Sequence, residues 1–86
     1  MSDVKLLSEP TNYAVVHLPG RAFPGVVFQG DSLDSFIGDL EEMAVESDPA
    51  ERAAALSDLI ERLRGIQAHY ETVLDREGMP LPNNRA

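Results

Sequence analysis

The chain contains no cysteine, which excludes a disulfide framework, a thiolate zinc site and a cysteine nucleophile. Its N-terminal residues show no basic segment followed by an apolar one, so no secretory signal is expected. No apolar run approaches the roughly 20 residues needed to cross a bilayer. These absences predict a cytoplasmic protein in a reducing compartment.

Basic residues are scarce. The chain has 7 Lys and Arg against 15 Asp and Glu, giving a net charge of −8. Phosphate groups would repel such a chain, which argues against nucleic acid or an anionic membrane as a partner. A basic protein is the natural electrostatic complement, although acidity can also serve solubility alone.

Catalytic and cofactor-binding signatures are also missing. Neither glycine-rich phosphate-binding pattern occurs. The two histidines, His17 and His69, have no second ligand at a metal-binding spacing. The sequence therefore predicts a protein that is not an enzyme and holds neither a metal nor a cofactor.

The 86 residues suffice for one small domain with a thin core. We expect this domain to span residues 1–78, followed by a flexible tail at 79–86. Two β-rich runs, Tyr13–Leu18 and Val26–Gln29, flank a loop with two Pro-Gly pairs and predict a β-hairpin. Residues 4–7 could add a short strand or a single turn. The hairpin segment Asn12–Leu33 is the expected centre of the fold.

Two helices should follow the hairpin. The first is predicted at Ser32–Glu46, capped by Asp31 or Ser32. The second is predicted at Pro49–Arg76, with Asp48 as N-cap, Glu51 in capping-box position and Gly78 as a left-handed C-cap. Their short link favours antiparallel packing, so the fold class is α+β. One apolar side of the first helix should face the core: Leu33, Phe36, Ile37, Leu40, Met43 and Ala44.

The first helix also concentrates acidic residues. Helical spacing places Asp39, Glu42 and Glu46 on one side, with Asp34 and Glu41 on an adjacent side. We interpret this cluster as a docking surface for a basic partner. The alternative is an ordinary solvated helix face.

The Pro-Gly loop carries Arg21 and Phe23. An exposed arginine and an aromatic ring on a shaped loop are typical interface anchors. The loop could instead bind an anion, or Phe23 could fold back onto the core.

The segment Asn12–Leu33, which begins Asn-Tyr-Ala-Val-Val-His-Leu-Pro-Gly-Arg, resembles a small uncharacterised bacterial domain family. In size and charge the chain also resembles the immunity proteins of bacterial toxin systems, a likeness that carries no residue-level site.

The leading hypothesis is a non-enzymatic binding protein, such as an immunity protein or antitoxin-like inhibitor, that docks a basic toxin or enzyme. One alternative is a structural module that forms a homodimer through strand or helix packing. Another is a small-molecule or anion-binding regulator that uses the Pro-Gly loop.

Overall fold

The computed structural model describes residues 3–82. Three short strands, β1 (Lys5–Leu6), β2 (Val15–His17) and β3 (Gly25–Val26), form an antiparallel sheet in the order β1-β2-β3. Two helices follow, α1 (Gly30–Val45) and α2 (Pro49–Arg76). The α+β class and the β2–β3 hairpin are confirmed. The structure also settles the alternatives for residues 4–7, because Leu6 pairs with Val16 as part of a third strand.

The strands are shorter than predicted because the backbone bends at their ends. Tyr13, which was predicted to begin the strand, has a φ of 61°. The extended conformation therefore starts only after Tyr13, and β2 begins at Val15. After β3, the Val27 N–H donates to the Ala14 carbonyl at 2.9 Å. The chain then turns so that the ring of Phe28 packs edge-on between Tyr13 and Phe36. The end of the hairpin thus becomes part of the contact with α1.

The predicted cap of the first helix is wrong. The helix begins at Gly30, and Gln29 occupies the N-cap position without a side-chain capping bond. Asp31 lies inside the first turn, where its carboxylate accepts from the Ser32 N–H at 2.9 Å. Its negative charge still suits the positive end of the helix dipole.

The bounds of the second helix are confirmed. The Asp48 carboxylate accepts from the Ala50 N–H at 3.0 Å, and Pro49 occupies the first turn. The reciprocal capping-box bond from Glu51 was predicted wrongly. Instead, Glu46 at the end of α1 accepts from the Asp48 N–H at 3.2 Å, so the cap also joins the two helices.

The C-terminus of α2 closes as predicted. Gly78 has a φ of 70°. The Met79 N–H donates to Leu74 and the Gly78 N–H to Asp75, at 2.9 and 3.1 Å. This is the Schellman arrangement, which satisfies carbonyls that a helix end leaves free. Met79 then packs against the core, while residues 83–86 of the predicted tail lie outside the described residues.

Helix α2 joins the two core clusters, because it contributes buried residues to both, and segment 12–33 also reaches both through Val15 and Tyr13. The first cluster joins the sheet to the C-terminal half of α2: Leu7, Val15, Val73 and Leu74, with Val26, Tyr70 and Met79 against it. The second joins α1 to the N-terminal half: Phe36, Met43 and Leu59, with Tyr13 and Ile66 against it.

The apolar side of α1 is only partly covered. Of its six predicted core residues, only Phe36 and Met43 are buried. The accessible surface of the chain, 6348 Å², exceeds the value of about 5,000 Å² expected for a monomeric protein of this mass. The protein therefore leaves an unusual amount of surface uncovered for its size.

Tyr70 ties α2 to the Pro-Gly loop, because its hydroxyl donates to the Pro24 carbonyl at 2.8 Å. We expect Tyr70→Phe to lower the free energy of unfolding by about 1 kcal/mol.

Burial raises the pKa of Tyr70 above its usual 10.0. The neutral phenol is thus favoured on folding, and stability should fall as the pH rises above 10.0. Urea titrations of both proteins at neutral and alkaline pH check this, and an equal alkaline loss in both would contradict it.

Candidate functional site

Acidic side chains from both helices converge on a groove of about 300 Å³ between α1 and α2. Met43, Ala55 and Leu59 contribute its apolar walls. We call this the acidic groove, and its five carboxylates are Asp39, Glu42, Glu46, Glu51 and Asp58. The acidic residues therefore line a concave surface, with carboxylates from α1 and its C-terminal end on one side and from α2 on the other.

Arg62 is the one cation that lines the acidic groove among the described residues. Its Nη1 lies 2.7 Å from Oδ2 of Asp39, and its guanidinium stacks 4.6 Å from the ring centre of Phe36. Both members of the ion pair are close to half exposed, so the pair adds little stability. Its main effect is to neutralise one carboxylate and leave the charge of the other four uncompensated at the groove.

The structure brings together three of the five acids predicted on the first helix. Asp39, Glu42 and Glu46 line the groove, whereas Asp34 and Glu41 are exposed outside it. From sequence, Glu51 was assigned a capping role beside the acidic cluster, and Asp58 was not assigned to the surface. The sequence did contain a signal for both residues, because they lie three or four residues from Ala55 or Arg62 on one side of α2. Combined with the predicted antiparallel packing, this spacing places them beside α1.

The Pro-Gly loop forms a separate surface beside the sheet. Pro19 and Gly20 make a turn, with Gly20 at a φ of 78° and the Arg21 N–H donating to the Leu18 carbonyl at 3.3 Å. The second Pro-Gly pair makes no such turn, because Gly25 begins β3. Arg21 and Phe23 are both exposed and line a shallow pocket of about 370 Å³. They do not reach the acidic groove.

A second feature of the helical hairpin is an uncovered apolar surface, which we call the apolar face. Its members are aliphatic side chains that are each 42–50 % exposed: Leu33, Ile37, Leu40, Leu56, Ile60 and Leu63. Ile60 and Leu63 continue into a groove of about 550 Å³ that also meets Val26, Phe28 and Tyr70.

The apolar face and the acidic groove lie on opposite sides of the hairpin. On α1, Ile37 and Asp39 project to opposite sides of the buried Phe36–Met43 row at helical spacing. On α2, Ile60 and Arg62 do the same about Leu59. Because Asp39 and Arg62 contact each other, the polar sides of the two helices coincide, and so do their apolar sides.

Within residues 3–82, no group of three or more His, Asp or Glu side chains is placed to hold a metal ion. Neither α1 nor α2 is long and apolar enough to span a membrane.

Fold and site together define a small α+β protein with a three-stranded sheet, a helical hairpin and an acidic groove. The chain belongs to a family of unknown function, DUF6959, whose model matches residues 1–83. This confirms the resemblance to a small uncharacterised family and extends it well beyond segment 12–33. No curated protein and no solved structure gives a significant match.

Proposed function

We propose that this protein is a non-enzymatic protein-binding module that docks a basic protein through the acidic groove. The observation that supports it is the convergence of five carboxylates from two helices on one concave surface. Four of them keep their charge uncompensated by Arg62, on a chain of net charge −8. Such a field attracts a cationic surface and speeds its association.

The role we favour is that of an immunity protein or inhibitor that neutralises a basic toxin or enzyme in the bacterial cytoplasm. An inhibitor of this kind must associate quickly and needs no catalytic group, and concentrated charge of one sign meets the first requirement. The exposed Arg21 and Phe23 on the Pro-Gly loop offer a second contact outside the groove.

The test is a charge reversal that spares the structural bonds of the groove. Asp39 pairs with Arg62 and Glu46 caps α2, so the variant is Glu42→Lys with Asp58→Lys. The matched control is Glu61→Lys with Asp75→Lys, which makes the same net change at exposed positions that do not line the groove.

Basic proteins captured from an extract of the encoding organism would be identified, purified and measured by surface plasmon resonance at two salt concentrations. We expect the groove variant to slow association by about 10-fold or more at low salt, while the control changes it much less. An equal loss in both variants, or no capture of a basic protein in a salt-sensitive complex, would contradict the proposal.

A further inference from the structure

We infer that the apolar face is covered by a second copy of this chain, so that two helical hairpins form a four-helix bundle. Six half-exposed aliphatic side chains present on the order of 500 Å² of apolar surface, at the upper end of what a monomeric protein leaves uncovered. A standard interface covers roughly 800 Å² per partner, so polar residues around the face would have to contribute the remaining area.

The shape of this surface favours another hairpin as its occupant. An antiparallel helix pair with one apolar side is half of a four-helix bundle, and a second pair completes the core. Such completion would enlarge a thin core, because the eight buried hydrophobic residues within 3–82 are divided between a cluster of four, a cluster of three and Ala14. A bundle core beside Phe36 and Leu59 would add a continuous apolar layer.

The heights of the side chains specify how the copies face each other. Arg62 contacts both Phe36 and Asp39, which fixes α1 beside α2. Because the two helices run antiparallel, Leu40 then lies near the height of Ile60, and Ile37 near that of Leu63. A two-fold axis parallel to the helices preserves these heights. It places α1 of each copy against α2 of the other, with the apolar side chains at matching levels.

Charge at the rim favours the same arrangement. The outer edge of α1 carries Asp34 and Glu41, whereas the outer edge of α2 carries Arg64. Pairing α1 with α1 would bring these carboxylates together, at a cost for chains of net charge −8. Pairing α1 with α2 instead brings Asp34 close to Arg64 of the second copy. The acidic groove stays open, because it lies on the other side of each hairpin.

The mass of the protein in solution tests the dimer. Sedimentation equilibrium across micromolar to millimolar concentrations should show twice the chain mass for the native protein. Ile60→Glu should raise the dissociation constant by about 100-fold or more, since it would bury an unpaired carboxylate in the interface. The control is Ala54→Glu, an exposed position turned about 120° away from Ile60 around α2, which should leave the dimer intact.

Circular dichroism of Ile60→Glu should match that of the native protein, because Ile60 is half exposed in the monomer. A native protein that stays monomeric throughout, or a dimer unaffected by Ile60→Glu, would overturn the inference. Neither outcome touches the proposed function, which uses the acidic groove and is tested by Glu42 and Asp58.

The absence of cysteine allows a direct test of the geometry. The double variant Asp34→Cys with Arg64→Cys should form a covalent dimer under oxidation, visible on a non-reducing gel. Each single variant should remain uncrosslinked, because the two-fold axis separates like positions. Cross-linking of Asp34→Cys alone would show α1 against α1 and contradict the proposed arrangement.

Discussion

Replacement of Leu74 by alanine should lower the free energy of unfolding by about 3 kcal/mol. Leu74 is fully buried in the first core cluster, together with Leu7, which follows β1, and Val15 of β2. Its carbonyl also accepts the Met79 N–H that closes α2. The cavity would therefore loosen both the sheet and the helix end. Loss of this size corresponds to a fall of about 15 °C in Tm for a domain of this length.

Urea denaturation followed by circular dichroism measures this effect, with Leu6→Ala as the control. The Leu6→Ala substitution removes the same atoms from a half-exposed side chain of β1. It should lower the free energy of unfolding by less than about 1 kcal/mol. Comparable losses in the two variants would show that the first cluster is not the main source of stability.

Two glycines inside helices provide the largest expected gain. Gly38 in α1 and Gly65 in α2 have no atom within 4 Å of an added Cβ. Alanine at each position should raise the free energy of unfolding by about 0.5–1 kcal/mol, because it restricts the unfolded chain more than glycine does. The double variant should gain about 1–2 kcal/mol, or roughly 5–10 °C in Tm.

Gly78→Ala is the matched control for these substitutions. Its position is just as open, but its φ of +70° is one that a side chain disfavours. The same chemical change should therefore lower stability by about 1 kcal/mol. A Gly38→Ala and Gly65→Ala double variant no more stable than the native protein would mean that the helices need a flexible residue there.

Local chemistry predicted the second helix well. Asp48 and Pro49 supply a start signal, Gly78 supplies a stop, and an apolar stripe joins them. Each signal depends on a few adjacent residues and so survives in the folded protein. The strand positions were also found, but their lengths depend on the φ of Tyr13 and the path of Phe28. Those features are set by tertiary packing.

Periodicity identified the apolar side of α1 but could not predict which residues of that side another element covers. It grouped Leu33 and Ile37 with Phe36 and Met43, yet only the latter two are buried within one chain. The acidic site was predicted in part for a related reason. Pattern along α1 located Asp39 and Glu42, but Glu51 and Asp58 join them only through the packing of α2.

The length of α2 keeps the sheet and the acidic groove apart. Its 28 residues extend about 42 Å, with the sheet packed near one end and the acidic groove near the other. Under the proposed function, substitutions around Glu51 should alter partner binding without changing Val73 and Leu74, which pack against the sheet. Related chains could then differ in their targets near the turn between α1 and α2 and keep the same core beside the sheet.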